Sequence, residues 1–311
     1  MARPHGQVPF ASALLRKSLE ELASRISRTR KSPSAAQVHD LRVSIRRFTQ
    51  ALQVFKSCFP AKEVKRVQRT LKKVMDLAGN VRDLDIAGEV LEKSRMADAA
   101  GPRYEFARRR KHAGRALCDK LQRWSKRRTS SKWQRQLKPA SPAAAALGTV
   151  EERANEILPV LAKRLFALSR RSARGKGDRL EQLHQLRIAA KKMRYTLELF
   201  VFLQPSVIRE RLDQLKKLQS TLGSINDLEI VHDMLLKEHA SNKLCAELMR
   251  RRDRRVEEFM SHRQAEFAGL GSAAQWSKDL AGLPRSRNLR RKPAARSESI
   301  PKSESASSAA S

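Results

Sequence analysis

The sequence predicts an all-α fold made of two pseudo-symmetric helical bundles that arise from an internal duplication. Apolar residues recur every three or four positions over most of the chain, which is the spacing of one face of an α-helix. No segment shows the alternation of apolar and polar residues that is typical of a strand. In addition, two parts of the chain match each other in order and spacing, which indicates a repeated structural unit.

The repeat is clearest in two ten-residue segments, VHDLRVSIRR at 38–47 and LHQLRIAAKK at 183–192. Their histidines, His39 and His184, are separated by 184 − 39 = 145 positions. A second pair of segments, GNVRDLD and GSINDLE, begins at Gly79 and Gly223 and keeps nearly the same separation, since 223 − 79 = 144. A slip of one position over such a distance is expected of a duplicated unit.

Each repeated segment begins a long amphipathic helix, because its apolar residues keep helical spacing over 38–55 and 183–200. The following helix is expected to begin at a proline, which suits a first helical turn, and to end at a glycine. These landmarks are Pro60 and Gly79 in the first copy, and Pro205 and Gly223 in the second.

Two aspartates follow the glycines, and their position suggests a role at a helix start. Asn80 and Ser224 are suited to begin a further helix, and Asp83 and Asp227 lie three residues later. An acidic side chain at that position can accept hydrogen bonds from free backbone N–H groups. We therefore expect both aspartates to act as caps, while a direct role in metal or ligand binding stays open.

Further helices are expected to open and close each copy. They are 10–30 and 103–126 in the first copy, and 150–171 and 242–267 in the second. The first repeat then covers 8–127 and the second 148–270, joined by a linker over 128–147 that contains prolines and an alanine run. The basic, Ser- and Ala-rich segment 271–311 is expected to be a disordered tail.

The charge of the chain predicts a polyanionic partner. Lys and Arg number 66 against 32 Asp and Glu in 311 residues, a formal net charge of +34, and such cations displace counterions from a polyanion. Cys58, Cys118 and Cys245 lack zinc-ligand spacing and are expected to be small core residues. No stretch resembles a signal peptide or a membrane span, so we expect a cytoplasmic protein.

Basic residues form one stripe along the repeated helix of each copy, because they lie three, seven or ten positions apart. The stripe residues are His39, Arg42 and Arg46 in the first copy, and His184, Arg187, Lys191 and Arg194 in the second. Like charges at this spacing repel each other, so their presence at equivalent places in both copies favours anion binding. Two other interpretations stay open: a basic face that is only solvated, and histidines packed at a helix crossing.

Basic residues on neighbouring helices extend this surface if the helices pack through their apolar faces. The candidates after the two prolines are Lys72, Lys73, Lys216 and Lys217; those on the closing helices include Arg108, His112, Arg115, Arg251 and Arg255.

The pair of His-x-x-Arg-Val/Ile-x-x-Arg/Lys-Arg/Lys motifs, each with Asp-Leu-Asp/Glu downstream, resembles the CHAD family, the conserved-histidine alpha-helical domain, over about residues 8–270. The resemblance implies two bundles related by pseudo-twofold symmetry and a basic surface that binds inorganic polyphosphate, often at polyphosphate granules. It implies binding by His39, Arg42, Arg46, Arg47, Lys72 and Lys73, and by His184, Arg187, Lys191, Lys192, Arg194, Lys216 and Lys217. Thr49 stands where the second copy has Arg194, so the two anion surfaces are expected to be unequal.

The alternative function is that of a nucleic-acid-binding or nucleoid-associated protein, which would bind nucleic acid nonspecifically through the same basic faces. Only 3 Trp, 2 Tyr and 10 Phe occur, and most of the Phe lie in apolar stripes, which leaves few rings to stack on bases. The sequence shows neither a Gly-x-x-x-x-Gly-Lys-Ser/Thr loop nor the Glu-x-Glu-x-Lys pattern of a triphosphatase. We therefore expect no enzymatic activity, no cofactor and no metal, and leave the oligomeric state open.

Overall fold

The computed structural model describes residues 6–139, 147–173, 178–270 and 272–281, and the regular elements in these ranges are all helices. The all-α prediction is confirmed. The α-helices of this part of the chain are α1 (Gln7–Lys31), α2 (Ala35–Val54), α3 (Ala61–Ser94), α4 (Ala100–Lys126), α5 (Thr129–Gln136), α6 (Val150–Ala173), α7 (Arg179–Leu199), α8 (Pro205–Lys237), α9 (Asn242–Leu270) and α10 (Ala273–Ala281).

Helices α1 to α4 correspond to α6 to α9 in order and closely in length. The repeated segment forms α2, of 20 residues, and α7, of 21 residues. The helix that follows has 34 residues in α3 and 33 in α8. Helix α2 contacts α7 and α3 contacts α8, so the two halves meet through their equivalent helices.

The two halves share one large apolar core. Phe48, Phe55 and Phe200 are fully buried in it, and the rings of Phe55 and Phe200 meet edge to face with their centroids 6.1 Å apart. Truncating a buried phenylalanine of this kind to alanine costs about 3–5 kcal/mol. A second, smaller core joins the ends of α3 and α8 to the starts of α4 and α9. The halves are therefore parts of one folded unit, with the junction of α2, α3, α7 and α8 at its centre.

The predicted helix ends at Gly79 and Gly223 are wrong, because α3 and α8 continue through both glycines. The larger buried apolar residues beyond them are Val81, Leu84, Ile86 and Leu91 in α3, and Ile225, Val231 and Leu235 in α8. Each buried side chain of this size contributes about 1.5–3 kcal/mol, which outweighs the cost of about 1 kcal/mol of a glycine within a helix. Asp83 and Asp227 therefore lie inside helices, and the expectation that they act as caps is also wrong.

The segment expected to be a linker contains a helix. Within residues 128–139, helix α5 places the buried Trp133 against Trp124, with ring centroids 4.6 Å apart, and 6.3 Å from the ring of Phe48. This aromatic cluster fixes α5 on the first half of the molecule. Residues 140–146 of the expected linker lie outside the described residues.

Part of the segment expected to be a disordered tail is also helical. Helix α10 packs against α6, and Trp276 is fully buried with its ring 5.9 Å from that of Phe166. Arg211 of α8 lies over the same indole and forms an ion pair with Asp279 at 2.7 Å. The expectation of disorder is therefore wrong for 273–281, while residues 282–311 lie outside the described residues.

Two further expectations concern the membrane and the cysteines. Over the four described ranges, no helix combines the length and the apolar character that a membrane crossing requires. Cys58 and Cys245 are buried, Cys118 is partly buried, and all three thiols are free. Cys58 lies in the large core and Cys245 in the smaller one, as expected for small apolar residues.

Candidate functional site

Helices α2 and α7 bring the two basic stripes together where the halves of the molecule meet. Arg42 and Arg46 of α2 and Arg187 and Lys191 of α7 lie close enough for their charges to act on one another. We call these four residues the basic centre. The two stripes therefore contribute to one site and do not form two separate surfaces.

The charged forms of Lys191, Arg42 and Arg187 are disfavoured where these residues lie. Burial, followed by the charges of Arg187 and Arg46, lowers the pKa of Lys191 to about 7. Burial and the charge of Arg46 lower the pKa of Arg42 to about 10. Burial is also the main cause of the lowered pKa of Arg187. An anion at the basic centre would relieve this repulsion, because it stabilises the charged form of each group.

The guanidinium of Arg42 reaches α3 beside Gly79. A Cβ atom added at Gly79 would lie 3.0 Å from Nη1 of Arg42, closer than ordinary van der Waals contact. The equivalent Gly223 has no atom within 4 Å of such a Cβ. Gly79 therefore leaves room for the close approach of the Arg42 guanidinium, whereas no described side chain approaches Gly223 in this way.

Asp83 and Asp227 supply negative charge next to the basic centre. Burial raises the pKa of both carboxyl groups. Arg42 opposes this shift at Asp83, and Arg187 and Arg82 oppose it at Asp227. The two aspartates thus offset part of the positive charge, but the basic centre together with Arg82 outnumbers them. An excess of cations remains for an external anion.

The two motif histidines have different surroundings. His184 lies 3.1 Å from the side-chain oxygen of Asn226 through Nδ1, and Arg187 donates to the same oxygen at 2.5 Å. Because an amide oxygen accepts hydrogen bonds, Nδ1 of His184 is the donor in this contact. The Nε2 atom takes no part in the contact. His39 is largely exposed, and partial burial of its ring, followed by the charge of Arg82, lowers its pKa.

A cavity of about 480 Å³ opens beside the basic centre between α2, α3 and α7. Its volume lies in the range usual for small-ligand sites. The polar and charged residues of its lining include Arg46, Thr49, Gln50, Gln68, Lys72, His184, Arg187 and Lys191. The difference noticed in the sequence between Thr49 and Arg194 therefore bears on the site, since the smaller residue lines the cavity. The Nε atom of Arg187 is buried and has no hydrogen-bond partner.

Arg47 links the two halves through α7, and neither Arg47 nor Arg194 lines the cavity. Both form ion pairs with Glu198 of α7, at 2.9 Å from Nε of Arg47 and 3.6 Å from Nη1 of Arg194. The guanidinium of Arg194 also lies 4.5 Å from the ring centre of Tyr195. The structure thus gives these two site candidates a position between α2 and α7 in which a carboxylate already offsets their charge.

The remaining candidates lie on helix surfaces around the centre. Four of them form short-range ion pairs on their own helices: Lys72 with Asp76 at 2.9 Å, Lys216 with Asp213 at 2.7 Å, Arg251 with Glu247 at 2.8 Å and Arg255 with Glu258 at 3.2 Å. Lys73, Lys192 and Lys217 are exposed. The pairs of Lys72, Lys216 and Arg255 are exposed and contribute about 0–1 kcal/mol, so they leave these cations available to a polyanion, whereas the pair of Arg251 is partly buried.

Sequence reasoning missed Arg82 and Asn226, which occupy equivalent positions of the two Asp-Leu-Asp/Glu motifs. Arg82 acts electrostatically on His39 and Asp227, and Asn226 positions His184 and Arg187. The signal was present, because both residues directly precede the repeated aspartate. It was overlooked because the aspartates were interpreted as caps.

A second basic groove lies between α3, α4 and α8 and has a volume of about 880 Å³. Its basic residues are Arg108, Arg109, Lys111, His112, Arg115 and Lys237. Asp83 lines this groove and also interacts with Arg42, so the groove adjoins the basic centre across α3. Three of its residues, Arg108, His112 and Arg115, belong to the basic face expected of the closing helix.

The donor set at the site consists mainly of nitrogen cations, which suits anions. Over residues 6–139, 147–173, 178–270 and 272–281, no group of three His, Cys, Asp or Glu side chains is arranged to hold a metal ion. Guanidinium groups bind phosphate oxygens through paired N–H donors, and lysine acts on them as a point charge. The geometry therefore favours recognition of phosphate groups.

Comparisons with known proteins agree with this fold. The family model of the CHAD domain matches residues 13–236. A crystal structure of the CHAD domain from the plant Ricinus communis superposes with a TM-score of 0.67 at 22% identity, covering 87% of this chain and 93% of that one. PptA from Streptomyces chartreusis superposes with a TM-score of 0.57 at 16% identity, covering 88% of this chain and 100% of that one. No curated protein matches in sequence. Because the family model spans most of the chain, this protein belongs to the CHAD domain family.

Proposed function

We propose that this protein binds inorganic polyphosphate at the basic centre and its cavity. The observation that carries this proposal is the convergence of Arg42, Arg46, Arg187 and Lys191 into one half-buried cluster. Such a cluster destabilises the free protein, and a multiply charged anion would remove that cost. The surrounding exposed lysines would add contacts along a longer chain of phosphates.

The side chains of the site favour polyphosphate over nucleic acid as the ligand. Binding of single strands relies on rings that stack on bases, but Tyr195, the aromatic residue of the cavity lining, is only 5% exposed. Tyr104, which is 76% exposed, lies in a different groove with Asp85 and Glu89. Nucleic acid would therefore bind through its phosphates alone, as a weaker and nonspecific ligand.

We also propose that the protein is not an enzyme and that it acts at polyphosphate granules. Phosphoryl transfer requires a positioned nucleophile and usually carboxylates that hold magnesium. The carboxylates nearest the centre, Asp83 and Asp227, instead interact with Arg42, Arg82 and Arg187. Release of orthophosphate from polyphosphate with Mg²⁺ or Mn²⁺ would contradict the non-enzymatic role. Fluorescence imaging of a tagged chain beside a polyphosphate stain tests the location.

A competition experiment tests the ligand. Fluorescent polyphosphate bound to the full chain is titrated with unlabelled polyphosphate or double-stranded DNA at equal phosphate concentration and fixed salt, which must be stated because salt governs such binding. We expect polyphosphate to compete at least about tenfold better, because the proposed site offers DNA contacts to its phosphates and few to its bases. Equal displacement by DNA would favour the alternative, a nucleic-acid-binding protein.

Charge reversal tests the site. Replacing Arg42, Arg46, Arg187 and Lys191 by Glu should abolish binding. A matched variant reverses four exposed cations on α1 and α6, namely Arg16, Lys17, Lys163 and Arg164. Both variants change the net charge equally, so equal losses of affinity would mean diffuse attraction and no site. Substitution of the same four centre residues by Gln, with circular dichroism as a folding control, covers the case in which the Glu variant does not fold.

A further inference from the structure

Lys191 is chemically unusual among the cations of the site. Its side chain is half-buried and lines the cavity between α2, α3 and α7 together with Arg46 and Arg187. Burial, then the charges of Arg187 and Arg46, lowers the pKa of the Lys191 amine to about 7. About half of the molecules then carry a neutral amine at pH 7, against about one in three thousand for an ordinary lysine. Only the neutral amine is a nucleophile.

The two arginines of the same cavity supply a place for a phosphate group. Guanidinium groups bind phosphate through paired N–H donors, and the buried Nε of Arg187 has no hydrogen-bond partner in the protein. A small acyl phosphate, which is the mixed anhydride of a carboxylic acid and phosphoric acid, would be held by its phosphate at Arg46 and Arg187. Its carbonyl would then lie in the same cavity of about 480 Å³ as the Lys191 amine.

We propose that Lys191 is a site of N-acylation by small acyl phosphates that bind in this cavity. The lone pair of Nζ attacks the carbonyl carbon, and a C–N bond forms. The bond between the carbonyl carbon and the bridging phosphate oxygen breaks, and orthophosphate leaves with its electron pair. The amine releases one proton to water. The reaction needs neither an oxidant nor a reductant.

Acylation would regulate the proposed function, on which this consequence rests. The product is a neutral amide, so the basic centre loses one of its four cations. Hydrogen bonds of charged groups are the strong ones, and losing one weakens binding by about tenfold or more. The acylated protein should therefore bind polyphosphate about tenfold more weakly than the unmodified protein.

The test is acylation of the full chain by acetyl phosphate at pH 7, followed by peptide mass spectrometry of the initial rate at each lysine. Lys192, the exposed neighbour on the same helix, is the internal control. Lys191 should react at least about tenfold faster, since its larger neutral fraction outweighs the lower nucleophilicity that accompanies a lower pKa. A rate at Lys191 equal to or below that at Lys192 would overturn the proposal.

A second reagent and one variant test the role of the bound phosphate. Acetic anhydride carries no phosphate, so its preference for Lys191 over Lys192 should be smaller than that of acetyl phosphate. At Lys191, the variant Arg46→Gln should lower the rate with acetyl phosphate relative to the rate with acetic anhydride. An unchanged ratio of these two rates would overturn the proposed binding of the phosphate group. Polyphosphate binding is measured on the same samples: acylation without polyphosphate binding would refute the proposed function alone, and binding without selective acylation would refute this inference alone.

Discussion

Polyphosphate binding should weaken as the pH rises above 7, because Lys191 loses its proton there. In the free protein, burial and the neighbouring arginines lower the pKa of Lys191 to about 7. A bound anion favours the charged amine and raises this pKa again, so binding takes up a proton. The contribution of Lys191 to affinity is fully present below its pKa in the free protein, about 7, and is lost as the pH rises from there toward its pKa in the complex.

The size of the effect follows from the protonated fraction of Lys191. This fraction is about one half at pH 7 and about one hundredth at pH 9. If the bound amine returns toward its ordinary pKa of 10.5, the affinity falls about fiftyfold between these two values. Titration calorimetry in two buffers of different ionisation enthalpy should also detect the uptake of about half a proton at pH 7 and almost one at pH 8.

The variant Lys191→Arg is the matched control for this prediction. The equivalent residue of the first copy is Arg46, so an arginine is compatible with this position of the repeat. Arginine stays charged over the whole range, and the decline from pH 7 to 9 should almost disappear. Titration of the ends of the polyphosphate chain affects both proteins alike. A variant that keeps the full decline would refute the assignment of the titrating group to Lys191.

Four further predictions follow from the packing and charge of the site. Gly79→Ala should displace Arg42 and weaken polyphosphate binding severalfold. Gly223→Ala has open space around the added methyl group, so it should raise stability by up to about 1 kcal/mol and leave affinity unchanged. Calorimetry measures the affinity and thermal unfolding measures the stability of each variant. Asp227→Asn removes a counter-charge of the basic centre and should tighten polyphosphate binding; because burial raises the pKa of this carboxyl, the uncharged amide should not lower stability, and binding titrations with denaturation as a control would report both. Trp276→Ala should detach α10 at a cost of up to about 3–5 kcal/mol while binding stays within about twofold. The salt slope of log affinity should fall by about one for each cation of the basic centre replaced by Gln, in binding titrations between low and moderate salt.

The sequence was sufficient to predict the helices and the helix faces that carry the site. Apolar spacing identified the helices that open, carry the motif and close each copy, and the stripes identified Arg42, Arg46, Arg187 and Lys191. These signals are local, because side chains three and four apart share a face of one helix. The spacing could not predict that α2 and α7 cross, and it is this crossing that brings the two stripes together.

Where sequence reasoning failed, tertiary packing outweighed a local preference. Gly79 and Gly223 resembled helix ends, but the apolar faces of α3 and α8 continue into the second core and keep both helices intact. The stripe pattern also included Arg194, which the fold pairs with Glu198 beside Arg47. Glu198 lies four residues later on the same helix, but the spacing does not reveal that Arg194 shares this carboxylate with Arg47 of α2. The short helix α10 was missed because its burial depends on Trp276 fitting against α6.

Differences between equivalent residues determine how the two copies contribute to the site. Asn226 contacts His184 and Arg187, whereas its counterpart Arg82 acts on His39 by charge and, after partial burial, is the next cause of the lowered pKa of His39. Thr49 leaves room in the cavity where its counterpart Arg194 packs over Tyr195 instead. The first copy thus provides space and permanently charged guanidinium groups, and the second provides an ordered histidine and a titratable lysine. If both copies bound phosphate independently, Arg187→Gln and Arg42→Gln would lower affinity additively. Because their charges meet in one cluster, we expect the double variant to lose less than the sum of the two single losses.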